Sequence, residues 1–161
     1  MAETLGSLTD KLTIKSIREF HLNESLKAKK TKFSKSDLKL KMALLKKQKA
    51  LQLTEIEEFI SLALNSKITL REEKIKLYNK PTDIGRIGKN EKLSKAIEGL
   101  SRKNIELWHL EDEARRTDMP LSYIGKIKKK IDPTNQQRND FIDKIDELFE
   151  KQVLKKRKLK K

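Results

Sequence analysis

Cysteine is absent from this chain, which excludes disulfides and thiolate zinc sites and permits a reducing compartment. With 5 Gly, 3 Pro and only 5% aromatic residues, the composition of a sheet protein is missing as well. No run approaches the roughly 20 apolar residues that a membrane span requires. The opening Met1-Ala-Glu-Thr-Leu-Gly-Ser lacks a signal peptide's basic-then-apolar layout, so a soluble cytoplasmic protein is expected. What remains abundant is leucine, isoleucine and lysine over 161 residues, enough for one domain with a real core. The expected layout is a single helical domain over 1–150 and a basic C-terminal tail over 151–161.

The net charge of +15 is unevenly placed. Residues 27–49 carry +9 and residues 151–161 carry +7, so everything else nets −1. The body of the domain is therefore electrostatically ordinary. The tail Lys155-Lys-Arg-Lys-Leu-Lys-Lys161 reads as a frayed, solvated terminus. Stacking aromatics are not interleaved with the lysines, which makes nucleic acid a secondary partner reading.

The only two histidines lie in one phrase written twice, Ile17-Arg-Glu-Phe-His21-Leu-Asn-Glu24 and Ile105-Glu-Leu-Trp-His109-Leu-Glu-Asp112. Extending backward pairs Leu12 with Leu100 and Asp10 with Glu98. Such self-similarity implies one helix used twice, and the two copies are expected to pack against each other, with Ile17 and Ile105 in the same region.

Periodicity sets out an all-α bundle of four or five helices. A first helix is expected from Thr4 to Lys30, a linker at Thr31–Ser36, and a second helix capped by Ser36 or Asp37 with Leu38, Met42 and Leu45 as its inner stripe. Thr54-x-x-Glu57 and Thr69-x-x-Glu72 read as capping boxes, each a kink or a new start. Tyr78-Asn-Lys-Pro81 stops the run, and Thr82 to Asn90, with Gly85 and Gly88, is the clear loop. In the next helix, Glu91–Arg116, the residues Leu93, Ile97, Leu100, Asn104, Leu107, Glu111 and Arg115 share one face. In the last, Ile124, Ile127, Ile131, Asn135, Arg138, Ile142, Ile145 and Phe149 do the same, and the unbroken phase across Pro133 favours one kinked helix over two. Both stripes carry polar residues midway, so a polar layer inside the core is expected.

Three ordered motifs carry a family resemblance: Thr4-Leu-Gly-Ser-Leu-Thr-Asp10-Lys-Leu-Thr-Ile14, Asn104-Ile-Glu-Leu-Trp108-His-Leu-Glu111-Asp112-Glu-Ala-Arg115-Arg, and Ile131-Asp-x-x-Asn135-Gln-Gln-Arg138-Asn139-Asp140-x-Ile-x-x-Ile145-Asp146. Over nearly the whole chain, the 27–49 region and the basic tail excepted, the sequence resembles the bacterial domain-of-unknown-function family four-two-five-four. The resemblance implies an all-helical bacterial protein without an established activity, of a kind encoded beside genes for lipopolysaccharide and other surface-glycan synthesis. The second motif centres on Leu-Trp, Glu-Asp and Arg, with histidine outside that core, which weakens any mechanism built on His109.

Four readings of the polar layer compete. In the first, Glu111 or Asp112 pairs with Arg138 and Arg115, while Asn104 and Asn135 complete a structural network. In the second, Asn104, Trp108, Glu111, Asp112, Arg115, Asn135 and Arg138 form a ligand site, with Arg115 and Arg138 gripping an anionic small molecule such as a sugar nucleotide and Trp108 as its apolar wall. A third uses His21 with Glu24 and His109 with Asp112 as metal ligands, but the order is the reverse of the Glu-x-x-His of carboxylate di-metal bundles. The fourth is nucleic-acid binding by the two lysine-rich segments. Small helical mutases build similar pockets, and Arg138-Asn-Asp-Phe-Ile-Asp-Lys-Ile-Asp146 is faintly similar to their helices, which helix periodicity alone explains. No motif calls for a cofactor or a metal. The reading carried forward is a binding or accessory protein of lipopolysaccharide or surface-polysaccharide biosynthesis; a nucleic-acid binder and a small helical enzyme are the alternatives.

Overall fold

The structure, a computed structural model, describes residues 3–65, 68–71, 82–83 and 91–159. The first helix, α1 (Leu5–Lys27), opens on a reciprocal capping box. Thr4 Oγ1 accepts from the Ser7 N–H at 3.2 Å, and Ser7 Oγ accepts from the Thr4 N–H at 2.9 Å. The helix stops at Lys27, short of the expected Lys30, where Ala28 turns extended. Ser34, and not Ser36 or Asp37, caps α2 (Lys35–Leu64) by accepting the Asp37 N–H at 3.0 Å. Asp37 instead takes the Ser34 hydroxyl at 2.7 Å from the third helical position.

The capping box expected at Thr54 does not form. The Thr54 hydroxyl donates back to the Ala50 carbonyl at 3.3 Å, and α2 passes through without a new start. Leu38, Met42 and Leu45 are its buried face, as the spacing predicts. The second capping box includes Glu72, and the stop at Tyr78–Pro81 and most of the loop over 82–90 likewise lie outside the described residues.

Two further helices follow, α3 (Leu93–Ala114) and α4 (Leu121–Lys158). Pro133 lies inside α4, which is one helix, not two. Next to the proline, the Thr134 hydroxyl donates to the Lys130 carbonyl at 2.8 Å, a back-bond of the kind that bends helices. The segment expected to fray from Lys155 instead continues α4 as far as Lys158. Val153 is 1% exposed in the core, and the Arg157 guanidinium donates to the Ala63 carbonyl at the end of α2.

Among the described residues these four helices form an all-α bundle of two antiparallel hairpins, α1 with α2 and α3 with α4. Lys15 Nζ to Gln52 Oε1 at 2.6 Å and Lys49 Nζ to Glu19 Oε2 at 2.7 Å tie the first pair. α4 touches all three other helices, whereas α2 and α3 do not meet. The core runs through Leu8, Leu100, Ile145 and Val153, each at most 2% exposed. Such side chains contribute roughly 1.5–3 kcal/mol apiece on full burial.

Two glycines set how closely the helices approach. A Cβ on Gly6 would stand 2.3 Å from the Ile142 carbonyl oxygen of α4, and one on Gly99 would stand 2.2 Å from the Phe141 ring. At Gly6 the closeness is used: its N–H donates to Asp146 Oδ1 at 2.6 Å, so a carboxylate of α4 caps the positive end of α1. The repeated phrase does what its duplication predicts. α1 and α3 pack side by side with contacts that ascend together, Asp10 to Asn104 and His21 to Trp108, so the two copies run parallel.

Candidate functional site

The polar layer lies where α1, α3 and α4 meet, and its centre is Asp10, 5% exposed. Arg138 holds this carboxylate bidentately, with Nε donating to Oδ1 at 2.9 Å and Nη2 to Oδ2. Asn104, also 5% exposed, donates to Asp10 Oδ1 at 2.8 Å and to Thr13 Oγ1 at 2.7 Å. Thr13 in turn donates to the Asp10 carbonyl at 2.8 Å. One acid, one guanidinium, one amide and one hydroxyl thus satisfy each other across three helices.

The expected partners were different. Glu111 and Asp112 do not reach Arg138; they pair with Arg115 at 3.3 and 3.4 Å. The Arg115 side chain is 69% exposed. The stripe of α3 therefore leaves the core after Leu107, because α3 ends at Ala114 and Arg115 is its C-cap. Asp112 and Asn135 line none of the three clefts described below.

Three clefts meet at Trp108, which stacks on the His21 ring with centroids 4.9 Å apart and planes 8° from parallel. The first, of about 240 Å³, is bounded by Arg18, Arg115 and Arg138, with Asn104, Trp108 and Glu111 also on its wall. Five of the seven expected site residues share it: Asn104, Trp108, Glu111, Arg115 and Arg138. Arg18 was not expected there, and it makes no hydrogen bond or ion pair among the described residues. The second cleft, of about 530 Å³, is largely apolar and takes one side from each copy of the repeat, including Ile17 and Ile105. The third, of about 390 Å³, lies between α1 and α2 beneath Phe33 and Leu44.

The histidines do not assemble a metal set. His21 Nδ1 lies 2.9 Å from Glu24 Oε2 at the surface, and His109 is exposed on the rim of the second cleft. Among the described residues no three His, Asp or Glu side chains converge.

A second group of buried polar residues lies further along α4. Asp140, 1% exposed, accepts from the Thr82 N–H and hydroxyl at 2.7 and 2.6 Å and from Gln136 at 3.0 Å. Lys144, whose side chain is 6% exposed, pairs with Glu91 at 2.5 Å. These residues escaped a reading that gave α4 one buried face. Asp140 and Lys144, four apart, were the available signal for a second.

Residues 94–161 match the family described as Protein of unknown function (DUF4254). This is the family that the motifs resembled. The match takes in the Asn104–Arg115 and Ile131–Asp146 motifs, and it extends through the basic end of α4, which the resemblance had left out. The Thr4–Ile14 motif lies outside it, so the DUF4254 segment supplies Asn104 and Arg138 to the polar layer while α1 supplies Asp10. No curated protein and no solved structure matches the chain.

Proposed function

We propose that this protein is a small helical binding or accessory protein whose arginine-lined cleft holds an anionic group, and that the ligand belongs to bacterial lipopolysaccharide or surface-polysaccharide biosynthesis. The observation that carries the anion reading is Arg18, a guanidinium without a partner among the described residues, on one cleft with Arg115 and Trp108. Arg115 is held only by pairs of 3.3 and 3.4 Å in open solvent, so an incoming phosphate can replace them at little cost. Arg138 already spends Nε and Nη2 on Asp10 and serves as the fixed wall.

A volume of about 240 Å³ is below the ~300–1,000 Å³ of pockets that enclose a whole small molecule. The cleft suits one phosphate or carboxylate, with the attached sugar or base lying along Trp108, and a sugar nucleotide has both parts. The pathway rests on the family resemblance alone.

Thermal unfolding against a panel of sugar nucleotides and inorganic phosphate tests the reading. A ligand that binds only the folded state raises the unfolding temperature, by about 2.7 kcal/mol of stability at a hundredfold excess over its Kd. Arg18→Gln with Arg115→Gln should abolish that rise and leave the unliganded protein folded. No shift with any anion, or a shift that survives both substitutions, would refute it.

A further inference from the structure

α2 has a second apolar stripe besides the one in the core. Leu40, Leu44 and Leu51, at spacings of four and seven, fall within about 40° of one another around the helix. They are 68, 58 and 58% exposed, and Phe33, just before the helix, is 52% exposed. α2 meets α1 and α4 but not α3, so no helix covers this outer side among the described residues.

The lysines occupy the same stretch. Of the ten in residues 27–49, only Lys49 has a carboxylate partner among the described residues, Glu19 at 2.7 Å. Lys41 lies 3.5 Å from the centre of the Phe33 ring, a cation on an aromatic face. The only acid of the stretch, Asp37, is engaged with the Ser34 cap. The other basic segment cannot share this patch. Arg157 is tied to Ala63, at the far end of a helix about 45 Å long.

We propose that this face of α2 docks on an anionic lipid surface. Nucleic acid would answer the lysines but leave the three leucines in water. A second copy docked by the same stripe would bring two lysine-rich helices together, with only Glu55, Glu57 and Glu58 on α2, besides the cap-engaged Asp37, to offset them. A bilayer with acidic headgroups answers both features: the leucines dip into the acyl boundary while the lysines reach up their flexible stems to the phosphates. The proposal is independent of the arginine-lined cleft, which lies on other helices.

The test is co-sedimentation of the full chain with vesicles of phosphatidylcholine alone and with about one third phosphatidylglycerol. Binding is expected only to the anionic vesicles, and it should weaken as salt shortens the screening length. Lys39→Glu, Lys46→Glu and Lys47→Glu together should cost roughly a hundredfold in partitioning. Leu40→Ser, Leu44→Ser and Leu51→Ser together should cost about tenfold or more, with the helical signal and unfolding temperature of the free protein retained because all three are exposed. Equal binding to neutral vesicles, or undiminished binding by the leucine variant, overturns the proposal. So does a chain that ignores both vesicles, whether it binds a DNA duplex irrespective of the leucines or forms a leucine-dependent dimer.

Discussion

Arg138 and Arg115 are both arginines paired with carboxylates around one cleft, yet they stand at opposite ends of what such a pair can be worth. Arg138 grips an Asp10 side chain that is 7% exposed, and Asn104 braces the same carboxylate. Arg115 reaches two carboxylates that are 45 and 59% exposed, at distances where solvent and salt take most of the gain. Burial, not the identity of the partners, separates a residue that holds three helices in register from one that is available to a ligand.

The largest effect should come from stranding the buried acid. Arg138→Met leaves Asp10 with Asn104 as its remaining donor, and removing one member of a buried pair costs roughly 3–5 kcal/mol. Denaturant unfolding should give a value near the lower end, since the amide still shields part of the charge. A loss under about 1 kcal/mol would show that the buried and exposed arginines do not differ as described.

Next in size is the approach of α1 to α4. Gly6→Ala places a methyl group against the Ile142 backbone carbonyl, which cannot swing aside as a side chain could. Overpacking of this kind costs about 1–3 kcal/mol, against roughly 1 kcal/mol of helix propensity gained. Unfolding midpoints should therefore show a net loss, and a more stable Gly6→Ala protein would mean that the two helices are not locked at this point.

At the exposed end, Arg115→Ala should shift stability by no more than about 0.5 kcal/mol. A destabilisation near that of Arg138→Met would place Arg115 in the structural network instead of at the mouth of a site.

The buried side of this contrast could be anticipated from the residues, but the same stripe also put Arg115 inside, where the structure leaves its side chain 69% exposed. The part that could not be anticipated has a definite cause. The 3.6-residue stripes placed Asn104 and Arg138 in the interior, and the duplicated phrase placed α1 beside α3, because both inferences need only one buried face per helix. Asp10 was visible in the repeat and in the opening motif, but nothing in the spacing says that an acid of α1 meets an arginine 128 positions later in preference to Glu111 on α3. Pairing across helices depends on axial register, and register is set by close approaches such as Gly6 on Ile142. The same limit hid Asp140 and Lys144. A helix in contact with three neighbours is buried on several sides, and a single-stripe template records one.

The smallest effect lies at the turn from α3 to α4, where charge is exposed and pH is the probe. The Tyr123 hydroxyl donates to Glu113 Oε1 at 2.8 Å, and Arg116 Nη1 donates to the same oxygen at 2.7 Å. The phenol, followed by the guanidinium, lowers the Glu113 pKa from the usual 4.5, and the carboxylate raises that of Tyr123 above 10.0. Arg116 also lowers Asp118 from its usual 3.8. A depressed carboxyl contributes stability that is present above its unfolded pKa and lost as pH falls through the folded value; the raised phenol contributes below 10.0 and is lost as pH climbs through its folded value. Tyr123→Phe should therefore move the Glu113 titration, followed by carboxyl NMR, upward toward 4.5 without reaching it, since Arg116 remains. An unmoved Glu113 titration would mean that the phenol does not hold this carboxylate. A large loss of global stability in the same variant would show instead that an exposed cluster can carry weight comparable to the buried layer.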